Sequence, residues 1–272
     1  MLTYPNIDPV AISLGPLQVH WYGLMYLLAF LCASGRAGCR AKPRVNWNAE
    51  MVSDLIFYGA LGVVLGGRVG YVLFYEFHKF LADPIWLFKV WTGGMSFHGG
   101  FLGVMIAMLL WCHKYKKTWF ETLDFIAPCV PTGLMFGRIG NFIGGELYGR
   151  QVSDPNFALG MIFPTDPSQL IRHPSQIYQA LCEGLLLFII LWFYSAKPRP
   201  RYAVSAIFLM GYGCARFFME FFREPDADQG YILLGWMTKG QMLSLPMILI
   251  GLWLIWYAYQ KKIFDWGPHK NT

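Results

Sequence analysis

Arg68, Arg138 and Arg216 are permanent cations set in apolar runs, and cations in such places do chemistry or are not kept. A charge near the middle of a bilayer costs about 2.5–3.5 kcal/mol on insertion scales, so intramembrane charge marks a site. The run Gly137-Arg138-Ile139-Gly140-Asn141-Phe142-Ile143-Gly144-Gly145-Glu146-Leu147-Tyr148-Gly149-Arg150 puts a guanidinium, an amide and a carboxylate among glycines. Glycine lets backbone approach a ligand closely, and a guanidinium binds phosphate through paired hydrogen bonds. The pattern predicts an anion pocket opened inside a membrane protein. The plainer reading is a helix C-terminus with structural glycines and a packed arginine.

Such residues need helices in a bilayer to hold them. Hydrophobic residues make up 56% of the chain and charged ones 14%, against about 25% charged in a soluble domain. Stretches of about 20 apolar residues, the length that crosses a bilayer, fall near 19–39, 51–75, 95–112, 121–143, 175–195, 202–222 and 240–259. The expectation is an all-α, polytopic membrane protein with seven transmembrane helices, one integral-membrane domain over residues 1–272. Met1 to Leu17 have no basic start and no apolar core, so the first span is read as its own targeting signal. Alternate loops gather the basic residues: Arg36, Arg40, Lys42 and Arg44; Lys114, Lys116 and Lys117; Lys197, Arg199 and Arg201; Lys261, Lys262 and Lys270. The positive-inside rule then makes the N-terminus periplasmic and the C-terminus cytoplasmic. Residues 145–173, with Asp154-Pro155, Phe163-Pro164, Asp166-Pro167 and His173-Pro174, read as an irregular periplasmic cap, since such proline density excludes a long helix. The net charge of +6 is spread over short loops; it suits topology and anionic membrane lipid and excludes a nucleic-acid footprint. The six cysteines show no CxxC or metal-ligand spacing, so no metal site is read.

With that orientation the polar groups gather at one depth. Arg68 falls in the outer third of its span with Tyr71 and Tyr75 on the same face, and His98 lies within a turn of the outer end of the next. Arg138, Asn141 and Glu146 close the fourth span; Tyr212, Arg216 and Glu220 follow i, i+4, i+8 along the sixth, with Arg223 beside that stripe. Tyr22 and Tyr26 open the first. Asp124 and Glu183 are exceptions, nearer the cytoplasm or in mid-span. Each residue has a plainer reading: tyrosines as interface aromatics, Arg216 and Glu220 as mutual neutralisation, Arg68 within a small-residue helix contact, His98 as a structural hydrogen-bonding residue. Their coincidence favours a site with surplus positive charge, and hence an anionic ligand.

The motifs resemble the prolipoprotein diacylglyceryl transferase family. Its signature, Gly-Arg-x-Gly-Asn-Phe-x-Asn-x-Glu-x-x-Gly, stands at 137–149, with Gly144 where the family usually has Asn. Further blocks are His20-Trp21-Tyr22-Gly23-Leu24, Gly66-Gly67-Arg68-Val69-Gly70-Tyr71, Gly93-Gly94-Met95-Ser96-Phe97-His98-Gly99-Gly100, Arg172-His173-Pro174-Ser175-Gln176-Ile177-Tyr178, Gly211-Tyr212-Gly213 and Glu220-Phe221-Phe222-Arg223. The resemblance implies a transferase of the bacterial inner membrane, acting in lipoprotein biosynthesis without metal or organic cofactor. Its reaction moves the sn-1,2-diacylglyceryl group of phosphatidylglycerol to the thiol of the lipobox cysteine in a prolipoprotein signal peptide. A thioether forms and glycerol phosphate leaves. On that reading the candidate catalytic residues are His98, as general base, with Arg138 and Arg216 receiving the charge that grows on the departing phosphate. Candidate substrate-binding residues are Tyr22, Arg68, Asn141, Glu146, Gly149, Tyr212, Glu220 and Arg223. The rival class is a transporter or flippase for an anionic lipid or solute, against which stands the lack of repeated halves.

Overall fold

The computed structural model describes residues 2–265 apart from 6, 16, 90–91, 155, 225–231 and 233–234. A hairpin opens the chain, β1 (Val10–Leu14) antiparallel to β2 (Leu17–His20). Helices α1 (Trp21–Ala41), α2 (Ala49–Tyr75) and α3 (Phe77–Ala82) follow, then a 3-10 turn at Pro84–Phe88 and α4 (Phe97–Tyr115). Next come α5 (Trp119–Ile126), a 3-10 turn at Ala127–Cys129 and α6 (Val130–Ile143). The loop after α6 carries a two-residue pairing of β3 (Met161–Ile162) with β4 (Ile171–Arg172). α7 (Ser175–Gln179) runs through a π-helical stretch, Ala180–Leu186, into α8 (Leu187–Tyr194); α9 (Ala203–Met219) and α10 (Lys239–Lys261) complete the order. Two compact units result: Met1–Arg36 with Leu123–Thr272, and Ala37–Thr122.

In the unit Ala37–Thr122, Asn48 starts α2 by accepting from the Met51 N–H at 2.8 Å, the side-chain cap that an exposed helix N-terminus needs. Small residues then bring α2 against α4. Gly62, Gly66 and Gly70 face Gly99 and Gly103, and a Cβ at Gly62 would stand 2.7 Å from the Gly103 carbonyl oxygen. At the far end of α4 Trp111 is fully buried, stacked on Trp47 at 5.4 Å, with its indole N–H donating to the Met51 carbonyl at 3.1 Å. α4 is thereby held along its whole length.

The other unit has a core of Ala127, Leu187, Leu191 and Val204, with Tyr194, Ile207, Phe208 and Tyr212 packed around it. Asp124 is buried at the start of α9, accepting from the Ser205 backbone N–H at 2.8 Å and from its hydroxyl. α10 begins with a capping box, Thr238 and Gln241 each accepting from the other's backbone N–H.

Three described helical stretches are long and apolar enough to cross a membrane: Ala49–Tyr75, Ser175–Tyr194 and Lys239–Lys261. This corrects the expectation of seven transmembrane helices. The periplasmic N-terminus, cytoplasmic C-terminus and irregular periplasmic cap stay expectations drawn from the charges of the loops. Hydropathy alone does not register breaks in the helix. The stretch 121–143 is cut by the 3-10 turn carrying Pro128, which leaves pieces of 8 and 14 residues. At about 1.5 Å per residue neither spans a hydrocarbon layer of about 30 Å. α9 has 17 residues and includes Arg216; α1 carries Arg36 and Arg40, and α4 begins at Phe97-His98 and ends among His113 and Lys114.

Candidate active site

Four elements of one unit bring three guanidiniums to two carboxylates. Arg138 stands on the last turns of α6, and its Nη2 lies 3.6 Å from Glu183 Oε2. Glu183 comes from the π-helical stretch and is 1% exposed. Its other oxygen is 3.7 Å from Arg216 Nη1, on α9. Arg216 Nη2 reaches Glu220 Oε2 at 2.9 Å, one turn along the same helix, and Arg223 Nη1 meets Glu220 Oε1 at 3.5 Å. Arg138 and Arg216 thus share Glu183, at distances beyond hydrogen-bond range. Arg216 Nη1 and Glu183 Oε1 are both buried and make no hydrogen bond. Glu220 is better held: the Thr238 hydroxyl donates to Oε1 at 3.1 Å, and glycine at 240 leaves room for its carboxylate at the start of α10. A helix N-terminus favours negative charge there.

The signature run folds around this cluster. α6 ends at Gly144, and the Glu146 N–H returns to the Asn141 carbonyl at 2.9 Å. Gln176 Nε2 donates to the Glu146 carbonyl at 2.7 Å, which fixes the turn to α7. Gly144 has φ −75° and an added Cβ would make ordinary contacts, so neither its backbone nor its nearest neighbours require glycine. Gly149 is enclosed: its N–H donates to the His173 carbonyl at 2.9 Å, and a Cβ would stand 2.5 Å from the Phe222 carbonyl oxygen. Arg150 continues the pairing, its N–H donating to the Phe222 carbonyl at 2.9 Å and its Nε to the Arg223 carbonyl at 2.9 Å. Residues 149–151 therefore tie the 171–173 segment to the chain that carries Arg223. Tyr22, in the first turn of α1, lays its ring where a side chain at Gly140 would go, and its hydroxyl is 3.4 Å from that of Tyr26. Tyr212, one turn before Arg216, stacks on Phe208 at 6.0 Å.

The loop beyond is held by charge. Arg172 Nε lies 2.5 Å from Asp166 Oδ2, and Nη1 reaches Glu224 at 3.1 Å and the Gly149 carbonyl at 3.3 Å. Burial alone would push the Asp166 carboxyl up; the Arg172 guanidinium and the Ser168 hydroxyl outweigh it and hold it well below the usual carboxylate range.

Arg68 and His98 belong to the unit Ala37–Thr122. Arg68 is buried, and its donors go mainly to backbone carbonyls: Nε to Leu87 at 2.9 Å, Nη2 to Trp86 at 2.7 Å, Nη1 to Gly93 at 2.5 Å and Gly94 at 3.3 Å, with Nη2 also reaching the Thr92 hydroxyl at 3.5 Å. Its guanidinium also lies over the Trp86 ring at 4.5 Å. His98 is exposed at the second residue of α4, behind the Ser96 cap, with its ring edge-on to Phe97 at 5.7 Å.

The model of the prolipoprotein diacylglyceryl transferase family matches residues 9–257. The phosphatidylglycerol–prolipoprotein diacylglyceryl transferase of Acinetobacter baumannii (strain ACICU) is 82% identical over 272 residues, 100% of both chains. Its counterpart from Psychrobacter arcticus is 59% identical over 290 residues, covering 98% of each. The chain belongs to the prolipoprotein diacylglyceryl transferase family. Of the residues singled out for this family, Arg138, Arg216, Glu220 and Arg223 form one network, with Asn141, Glu146, Gly149 and Tyr212 on the elements that build it. Arg68 is engaged elsewhere, in its carbonyl cage.

Glu183, which the sequence reading set aside as an exception, sits at the centre. An ionisable residue inside the run 175–195 was itself the signal; the rule of a common depth hid it. Thr238 and Gly240 gave no signal, because their role depends on where α10 begins. Among the described residues no group of His, Cys, Asp or Glu side chains could hold a metal ion.

Proposed function

We propose that the chain transfers the sn-1,2-diacylglyceryl group of phosphatidylglycerol to the thiol of the lipobox cysteine of a prolipoprotein, forming a thioether and releasing glycerol phosphate. It is a transferase and a multi-pass protein of the bacterial inner membrane. The nucleophile arrives with the peptide, so the enzyme needs no nucleophilic side chain of its own. The thiol gives up its proton, sulfur attacks the glyceryl carbon, and the carbon–oxygen bond to phosphate breaks with its electron pair left on oxygen. A phosphodiester with one negative charge becomes a monoester approaching two. Donors aimed at that growing charge bind the transition state better than the substrate, which is what lowers the barrier.

One observation carries this assignment: Arg138 and Arg216, from separate helices, converge on a single buried carboxylate without spending their hydrogen bonds on it. They are the groups we assign to the leaving phosphate. Glu220 holds Arg216 and Arg223 in place, Tyr22 and Asn141 serve the glycerol and phosphate of the lipid, and the enclosed Gly149 keeps the 149–151 pairing closed. His98 is assigned as general base for the thiol on its chemistry, an imidazole being able to take a proton near neutral pH. Purified protein mixed with phosphatidylglycerol and a lipobox peptide tests the reading. Glycerol phosphate should appear together with a diacylglyceryl mass gain on the peptide. Lipid or solute movement without covalent change would point to transport instead.

A further inference from the structure

The product of this reaction carries more negative charge on phosphate than the substrate does, so a pocket that favours departure also tends to hold what has departed. We propose that Glu183 is a positioning residue that stands in for phosphate between Arg138 and Arg216 in the resting site and competes with glycerol phosphate for them afterwards. The inference rests on the reading of those arginines as the leaving-group site.

The geometry separates Glu183 from an ordinary buried counter-ion. Each of its oxygens faces one guanidinium, at 3.6 Å and 3.7 Å. A locked arginine–carboxylate pair closes to about 2.7–2.9 Å, the separation of the ion pair between Arg216 Nη2 and Glu220 Oε2, 2.9 Å. Glu183 Oε1 and Arg216 Nη1 remain buried without a hydrogen bond. Leaving buried polar atoms unpaired is costly, and the arrangement suits a site that is completed by a ligand. A phosphate oxygen entering between the arginines would satisfy the guanidinium donors and displace a carboxylate that holds them loosely.

The backbone around Glu183 is built for that placement. The seven-residue stretch Ala180–Leu186 is π-helical, a rare form that occurs mostly as short insertions in α-helices and frequently at functional sites. Gly184, next in sequence, has no side chain where Met135 of α6 packs; a Cβ would fall 2.5 Å from Met135 Cβ. That close approach brings Arg138, three residues along α6, to Glu183.

Glu183→Gln keeps the shape and removes the charge. With the purified enzyme, the inhibition constant of added glycerol phosphate should fall about tenfold, in keeping with the worth of close charge pairs, and kcat should fall as release slows. A glutamate that only supports the fold predicts lower activity with unchanged or weaker inhibition, and that result overturns the proposal. If Glu183→Gln does not accumulate, Glu183→Asp withdraws the carboxylate by one methylene and should tighten inhibition by about threefold, a partial version of the same charge effect. Unchanged inhibition there overturns it too. Wild-type protein without transferase activity would sink the reaction itself; normal wild-type transfer with unaltered inhibition in the variants sinks only the role of Glu183.

Discussion

Arg216 and Arg68 are the same side chain put to two uses, and the difference lies in what their donors already hold. Arg216 spends Nη2 on Glu220 and leaves Nη1 buried without a hydrogen bond. Lysine at 216 would keep one charge and lose the planar fork. Arg216→Lys should therefore lower kcat by about 100-fold with little change in KM, the loss expected when a donor acts mainly in the transition state. Transfer to a lipobox peptide at varied phosphatidylglycerol concentration separates the two constants. Arg68, by contrast, gives its hydrogen bonds to the carbonyls of Trp86, Leu87, Gly93 and Gly94. Arg68→Lys leaves several of these unpaired, at about 1–3 kcal/mol each if they stay buried. The thermal midpoint should drop while KM for phosphatidylglycerol holds. A raised KM at unchanged stability would return Arg68 to the headgroup.

Between elements, glycine decides how near two helices come. A Cβ at Gly66 would stand 2.7 Å from Gly103 Cα, whereas one at Gly59, on the same helix, meets nothing within 4 Å. Gly66→Val should cost about 3 kcal/mol through forced separation of α2 and α4. Gly59→Ala should be neutral or stabilising by about 1 kcal/mol, since alanine suits a helix better than glycine. Thermal unfolding in detergent distinguishes them, and equal losses would mean that α2 and α4 do not meet through these glycines. This contact was readable in outline, because Gly66-Gly67-Arg68-Val69-Gly70 already suggested close helix packing. The run 137–149 was read as a candidate site because its residue types are rare together in an apolar chain. The number of spans was not readable. Hydropathy adds residues regardless of whether their hydrogen bonds continue one helix, so the turn at Ala127–Cys129 passed unseen. The partners of Arg68 were not legible, because they are mainly backbone carbonyls brought back by a loop, which no residue type announces.

Across the molecule, the helices and the loop after α6 draw on different forces. The helices present large apolar side chains outward, among them Phe74, Phe97, Phe193 and Leu249, as suits a lipid solvent. The loop depends on Arg172, which joins Asp166, Glu224 and the Gly149 carbonyl while its guanidinium lies 4.7 Å from the Tyr148 ring. Both Arg172 and Asp166 are mostly buried, with side chains 10% and 2% exposed, so this pair is poorly screened by water. Removing one partner of such a pair costs about 3–5 kcal/mol, and Asp166→Asn should destabilise the protein by an amount at the lower end, since Glu224 still faces Arg172. The pH dependence has a definite sign. Asp166 in the folded protein titrates below its unfolded value of about 4. Its contribution is therefore fully present above that value and is lost as pH falls through the depressed folded one. Unfolding midpoints of wild type and Asp166→Asn, measured from neutral pH downward, should differ by a constant amount until about pH 5 and then converge, as the wild-type carboxyl takes up a proton on unfolding. A difference that persists unchanged into strong acid would mean that the loop is held by its packing, with the Arg172 charge contributing nothing.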